Sequence, residues 1–273
     1  MKTLIILPTY NEVDNLRPLL EKIFAQVPES DILIVDDNSA DGTGELADDI
    51  QREKPQVHVI HRADKLGLGT AYIAGFKYAL THGYDAVFEM DADFSHNPRY
   101  LPAFLQALEH ADLVIGSRYV RGGYTPDWSL LRSLISASGN AFARVLLSIP
   151  VRDCTAGFRC YRTPVLRKID LDTIQSQGYA FQVELTYRVF KQGFRITEIP
   201  IVFMDRRVGK SKMSHKIVLE ALIYVLQTRF GVGKRPDKML LSPPEYILYQ
   251  EEETSESLRD SCQVGMKRRE PYA

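Results

Sequence analysis

The chain has 273 residues, 45% apolar and 25% charged, with a formal net charge of -1. That make-up belongs to a globular protein with room for one large domain or two small ones. Near-neutral charge argues against a dedicated nucleic-acid binder, whose phosphate contacts need a basic excess, so no nucleic acid is expected among its partners. Three cysteines, Cys154, Cys160 and Cys262, make no CxxC pair and read as reduced thiols of a cytoplasmic protein. The opening "MKTLIILPTYNE" lacks the small-residue cleavage site of a signal peptide. No apolar run reaches the roughly 18 residues of a spanning helix, so any meeting with a membrane is expected to be peripheral.

Along the first 120 residues two periods alternate. "TLIILPTY" is a continuous apolar run ended by Pro8, the pattern of a strand buried on both faces. "VDNLRPLLEKIFAQV" follows at helical spacing. "DILIVDD" and "VHVIH" read as strands, with "GTGELADDIQRE" a helix between them. "GTAYIAGFKYALTHG" is a helix ended by Gly83. "DAVFEMDAD" reads as a fourth strand, and "NPRYLPAFLQALEH" as a helix with Asn97 at its N-cap and Pro98 at its first position. "ADLVIGSRY" is a fifth strand. Beyond Tyr119 come a long helix, "SLLRSLISASGNAFARVLLS", a turn into a short strand, "DCTAGFRCYR", and another helix, "AFQVELTYRVFKQG". A strand, "RITEIPIVF", a basic loop, "MDRRVGKSKMSH", and a last helix, "KIVLEALIYVLQTRF", complete the ordered part. The proline-interrupted, charged segment 231–273 is expected to be weakly ordered.

Strands alternating with helices predict an α/β fold with a mostly parallel sheet. Ligands of such sheets bind beyond the carboxyl ends of the strands, where "PTYNE", "DDNSADGT", "DAD" and "GSRY" fall. Asp91 and Asp93 would share a side if their strand continued, and two carboxylates that close need a cation between them or a raised pKa. A hard divalent metal bridging a diphosphate meets that need; a solvated acidic turn is the plainer alternative. Asp36 and Asp37, at the second strand end, suit a ribose or base edge, while Asn38, Asp41 and Gly42 suit a tight turn. Tyr10 and Glu12 offer an aromatic face and an acceptor, or simply the start of a helix. Arg118, Arg132, Arg206 and Lys212 read singly as surface cations and together as a phosphate clamp. Gly67 and Gly69 give an incomplete dinucleotide fingerprint, and read as a turn and a close helix-sheet contact.

Taken in order, "LPTYNE", "VDDNSADGT", "KLGLGTAY", "MDADFSHNP", "GSRY", "LLRSLISASGN", "TAGFRCYR", "GYAFQVEL" and "DRRVGKSKM" resemble the family 2 glycosyltransferases of GT-A fold that make dolichol- or polyprenol-phosphate mannose. The resemblance runs from about residue 3 to 230. It implies a single GT-A domain with a nucleotide-sugar half, 1–120, an acceptor half, 121–230, and a C-terminal amphipathic helix. The implied reaction is inverting, metal-dependent transfer of mannose from GDP-mannose to a polyprenyl or dolichyl monophosphate. Carried over by position, Pro8, Tyr10, Glu12, Val35 and Asp37 hold the GDP moiety. Asp91, Ala92 and Asp93 surround the diphosphate and a Mg²⁺ or Mn²⁺ ion, with Ser95 a weak further ligand where some members have Gln. Arg118, Arg132 and Ser136 meet the acceptor phosphate, and Arg206 and Lys212 close over the donor. Members without transmembrane helices rely on the membrane surface or on an anchoring protein partner. The helix "KIVLEALIYVLQTRF" is a candidate interfacial element or a helix packed on the domain. UDP-glucose or another nucleotide sugar is an alternative donor, and a non-catalytic nucleotide-sugar-binding protein an alternative of another class.

Overall fold

A computed structural model describes residues 1–174, 176–205, 215–230 and 247–248. Its centre is an eight-stranded sheet of order β3-β2-β1-β4-β6-β5-β7-β8. In chain order the strands are β1 (Thr3–Thr9), β2 (Asp31–Asp36), β3 (Val57–His61), β4 (Ala86–Glu89), β5 (Leu113–Ser117), β6 (Arg159–Arg162), β7 (Ile196–Pro200) and β8 (Ile247–Leu248). The helices are α1 (Val13–Gln26), α2 (Thr43–Glu53), α3 (Leu68–Thr81), α4 (Leu101–Ala107), α5 (Leu130–Leu147), α6 (Thr163–Lys168), α7 (Gly178–Lys191) and α8 (His215–Phe230). All strand pairings are parallel except the two made by β6, which runs antiparallel between β4 and β5. The second half of the chain thus inserts a strand into the sheet begun by the first, and the expected mostly parallel α/β fold is a single domain. β8 falls in the segment expected to be weakly ordered; the rest of that segment lies outside the described residues.

The apolar runs are continuous because both faces of the sheet are covered. On β1, Leu4 and Ile6 enter the core beneath α3 and α7, while Ile5 and Leu7 enter the core beneath α1 and α4. Gly75 on α3 sits where a Cβ would come within 2.5 Å of Ile6, so the helix-sheet contact expected of the glycines belongs to this one. Gly69 instead lets α3 approach α7, since a Cβ there would lie 3.0 Å from the Phe181 ring. Gly67 makes the turn at φ +96°. Asn97 caps a 3-10 turn at Pro98–Tyr100 by accepting a hydrogen bond from the Arg99 N–H (3.1 Å). Gly83 and Gly193 follow α3 and α7 in left-handed conformation.

α5 departs from the pattern of a core-facing helix. Only Asn140, Ala143 and Leu147 on it are buried. Leu130, Leu131 and Leu134 are 85%, 68% and 67% exposed, and Ile135 joins them on the same end. α8 packs against α5 and α7, with Val225 buried and Ile223 and Leu226 partly exposed. The row of bare leucines therefore lies on α5, and α8, the expected interfacial helix, is also a packed one. Among the described residues no helix is long and apolar enough to cross a membrane.

Candidate active site

The carboxyl ends of β1, β2, β4 and β5 open onto one cavity of about 600 Å³. Asp37, Asp91, Asp93, Arg118 and Arg132 all line it, with Pro8, Tyr10, Glu12, Ala92 and Ser95. The sequence-expected site is therefore largely one place, and three features refine it. Val35 is fully buried in the core opposite Pro8 and does not line the cavity. Ser136 lines a smaller neighbouring pocket and accepts a hydrogen bond from Tyr119 O–H (2.7 Å). Arg206 and Lys212 lie outside the described residues.

The donor-side carboxylates are held by different means. Asp36 is buried and ties β1 to the turn after β2, accepting from Thr9 O–H (2.7 Å), Ser39 N–H (2.9 Å) and Ser39 O–H (2.6 Å). Asp37 faces the cavity, paired with Arg62 at 2.8 Å and accepting the Gly67 N–H at 3.0 Å. Tyr10 carries the Lys65 ammonium 3.7 Å from its ring centroid. Glu12 occupies the N-cap position of α1, and its carboxylate accepts from the Asn15 amide (2.8 Å). The neighbouring Asn11 side-chain oxygen accepts a hydrogen bond from the Ala40 N–H (3.0 Å).

β4 ends at Glu89, two residues before the first aspartate of "DAD", so regular alternation stops there. Asp91 is fixed instead by the Tyr72 O–H (3.0 Å), and its own N–H donates to His96 Nδ1 (2.9 Å). His96 is buried and stacked on Phe158, 4.9 Å between centroids. Asp93 is buried and accepts the Ser95 N–H (3.0 Å), and the intervening Phe94 sits at φ +65°, a strained setting for a bulky residue. The Ser95 hydroxyl is buried without a partner. Two carboxylates and an orphaned hydroxyl make a hard-oxygen donor set. It fits a Mg²⁺ or Mn²⁺ ion whose shell is completed by phosphate oxygens. It does not make an all-protein cage, for no cluster of three His, Cys, Asp or Glu ligands occurs among the described residues.

Below this loop lies Glu89, fully buried, accepting from Tyr161 O–H (3.0 Å) and Gln182 Nε2 (2.7 Å). Burial pushes its carboxyl up to about 7, against the pull of the Arg159 charge and these two hydrogen bonds. Burial, with the Asp91 charge, raises the Tyr72 phenol well above its ordinary value, so it stays a donor.

On the opposite wall Arg118 follows β5 and is buried. Asp153 grips it through Nε (2.8 Å), Nη2 (2.6 Å) and the backbone N–H (3.0 Å), and Thr155 accepts from Nη2 (2.8 Å). Nη1 makes none of these bonds. Burial alone would lower the guanidinium pKa and raise that of Asp153; their pairing reverses both, keeping Arg118 charged and Asp153 below the ordinary carboxylate range. Asp153 is in turn placed by buried Glu198 of β7, which accepts the N–H groups of Arg152 (2.8 Å) and Asp153 (2.9 Å). Arg132, on the first turn of α5, pairs with Asp205 (2.8 Å) and lies 4.2 Å from the Trp128 ring centroid. Arg62, Tyr72, Trp128, Asp153 and Gln182 are the cavity residues or direct supports that sequence reasoning passed over. Of these, Tyr72 and Gln182 stand in the quoted "KLGLGTAY" and "GYAFQVEL", and Asp153 is a lone acid opening "DCTAGFR".

This arrangement has acidic oxygen donors on one wall, fixed guanidinium groups on the other, and a parallel sheet beneath. A crevice beyond the carboxyl ends of the strands is where open α/β sheets bind their ligands. The chain belongs to glycosyl transferase family 2, whose model matches residues 4–170. It is 52% identical over 235 residues, 86% of this chain and 96% of the relative, to an undecaprenyl-phosphate mannosyltransferase of Micrococcus luteus. It is 46% identical over 239 residues, 87% of this chain and 89% of the relative, to a polyprenol monophosphomannose synthase of Mycolicibacterium smegmatis. Among solved structures, the mannosyltransferase PcManGT of Pyrobaculum calidifontis, in complex with GDP-Man and Mn²⁺, has a TM-score of 0.55 at 15% identity. The match covers 86% of this chain and 66% of that one. S. aureus TarS 1-349 with UDP-GlcNAc gives 0.53 at 20% identity, covering 82% and 65%. These two likenesses are of fold.

Proposed function

We propose that the protein transfers a mannosyl group from GDP-mannose to a polyprenyl or dolichyl monophosphate, with inversion at the anomeric carbon. The observation that carries this reading is the polarity of the cavity, lined by Asp91 and Asp93 after β4 and by Arg118 and Arg132 after β5. A donor diphosphate with its metal suits the first pair, and an anionic acceptor suits the second. The names of the two bacterial relatives support a mannosyl group as the cargo and a polyprenyl phosphate as the acceptor.

The chemistry follows from the charges. A phosphate monoester is already anionic near neutral pH, so the acceptor needs no general base. Arg118 and Arg132 orient its oxygen for attack, and the Asp153 grip keeps Arg118 from moving as charge shifts. Asp91 and Asp93, with Ser95 beside them, would hold Mg²⁺ or Mn²⁺. When bound, that ion neutralises charge on the departing nucleoside diphosphate. Tyr72 fixes the orientation of Asp91. Pro8, Tyr10, Glu12 and Asp37 line the donor end. Closure of Arg206 and Lys212 over the donor is carried from the family resemblance.

The lipid part of the acceptor has its own surroundings. A pocket of about 70 Å³ adjoins the cavity, walled by Ile135, Phe142, Val183 and Leu222 among others, and shares Trp128, Thr155 and Tyr179 with it. It suits the first isoprene units, and the bare leucines of α5 suit the surface of a membrane. The cytoplasmic face fits the buried free thiols Cys154 and Cys160.

The test is transfer of label from GDP-mannose, in the presence of Mg²⁺ or Mn²⁺, into solvent-extractable polyprenyl phosphate. Label entering the lipid from UDP-glucose and not from GDP-mannose would overturn the donor assignment. Asp91→Ala and Asp93→Ala are each expected to lower transfer at least 100-fold with melting temperature retained; wild-type turnover in either removes the metal-site reading.

A further inference from the structure

Three hydrogen-bond donors around the acceptor wall have no protein partner among the described residues. Trp128 Nε1 and Arg132 Nε are buried without one, and Nη1 is the guanidinium nitrogen that Arg118 leaves outside its Asp153 and Thr155 bonds. They lie close together: the Arg132 guanidinium is 4.2 Å and the Arg118 guanidinium 5.3 Å from the Trp128 ring centroid. Phe203 packs edge-on against the same ring at 5.8 Å, so the indole is wedged in place. A buried N–H left unmade costs about 1–3 kcal/mol, and native structures rarely leave several in one spot unless something is to bind there. Trp128 is also a wall of both the polar cavity and the apolar pocket. It therefore stands where a headgroup would meet its hydrocarbon tail.

The geometry points to Trp128 as a direct ligand of the acceptor, its indole N–H donating to an oxygen of a phosphate monoester while Arg118 and Arg132 supply the charge. This rests on the polyprenyl-phosphate reading above. The division of labour is chemical. Two guanidinium groups bind any anion that reaches them, whereas a rigid neutral donor on an aromatic ring reads direction and offers the first isoprene unit a flat apolar edge. A free phosphate and a lipid headgroup share this chemistry, and they differ in what the smaller pocket adds.

The chain contains a single tryptophan, so its indole N–H gives one resonance that needs no assignment. In the full-length protein carrying ¹⁵N-tryptophan, a short isoprenyl monophosphate is expected to move that peak downfield to saturation. Inorganic phosphate moves it the same way only at higher concentration, and the unphosphorylated isoprenol leaves it in place. Trp128→Phe keeps the ring and removes the donor. Calorimetry should find its affinity for the isoprenyl monophosphate about tenfold weaker and its affinity for GDP-mannose unchanged. If the monophosphate binds but the peak stays, or follows the isoprenol equally, the role of Trp128 is wrong while the functional reading stands. Undiminished affinity in Trp128→Phe has the same force. If no isoprenyl monophosphate binds the wild type, the functional reading falls and takes this one with it. The resonance is read on the unaltered protein, so a variant that failed to fold would not spare the proposal.

Discussion

At the scale of single residues, the wall proposed to meet the acceptor depends on one buried ion pair. Asp153 is wholly buried and makes three bonds to Arg118, and Glu198 holds its backbone. Removing one charge of a buried pair leaves the other unpaired, at a cost of about 3–5 kcal/mol. Asp153→Asn should therefore lower the melting temperature and reduce transfer more than it weakens GDP-mannose binding, which calorimetry and kinetics separate. The pH dependence has a definite sign. The folded-state pKa of Asp153 lies below the ordinary 3.8, because the Arg118 charge and hydrogen bonds outweigh burial. Its contribution to stability is thus complete above 3.8 and lost as pH falls through the depressed value. Denaturant titrations should show stability declining on that acid limb in the wild type and a shallower decline in Asp153→Asn.

At the scale of elements, α5 separates function from folding. Leu130, Leu131 and Leu134 touch little of the protein, so replacing all three by Ser should leave the melting curve within about 1 kcal/mol of wild type. Co-sedimentation with phospholipid vesicles should fall by about 10- to 100-fold, and transfer to a short water-soluble acceptor should persist. Undiminished vesicle binding would move the membrane surface elsewhere. The same element marks a limit of what can be read from sequence. Its periodicity announced a helix, but an apolar stripe facing solvent and one facing a core have identical patterns, and α8 was the helix read as either interfacial or packed. The strands β1 to β5 were legible because each is an apolar run punctuated at its end, and most cavity residues were legible because they fall at those ends. Val35 lies off the cavity lining because a strand residue one step from the end already faces the core. Trp128, Tyr72 and Gln182 were missed because their importance lies in partners 19 or more residues away or in having none. The spacing of a chain does not record such contacts.

At the scale of the whole molecule, the two walls of the cavity come from strands that do not touch. β4, which leads into Asp91 and Asp93, and β5, which leads into Arg118, are separated by β6. The antiparallel strand that joins them is drawn from about forty residues further along the chain than β5, and the loop just before it carries Asp153 and Thr155. Donor and acceptor walls are thus neighbours only through a third segment, which also brings the residues that grip Arg118. The proposed reaction uses both walls, so on that reading a chain lacking this segment would hold the donor-side strands without a usable site.

Position in the sheet has a consequence for the order of assembly. The parallel pairings among β1, β2 and β3 join residues 25 to 27 apart in the chain, whereas β6 pairs with residues 44 to 76 away, and long-range pairing is slow. A chain emerging from the ribosome can settle its donor-side strands while the segment that completes the sheet is still unmade. In refolding from denaturant, pulse-labelled hydrogen exchange should find the amides of β1 and β2 protected before those of β5 and β6. The glycosyl-transfer site would then be completed only after the first strands have formed, and a chain stalled before β6 would carry the acidic half of it without the half that gives it something to react with.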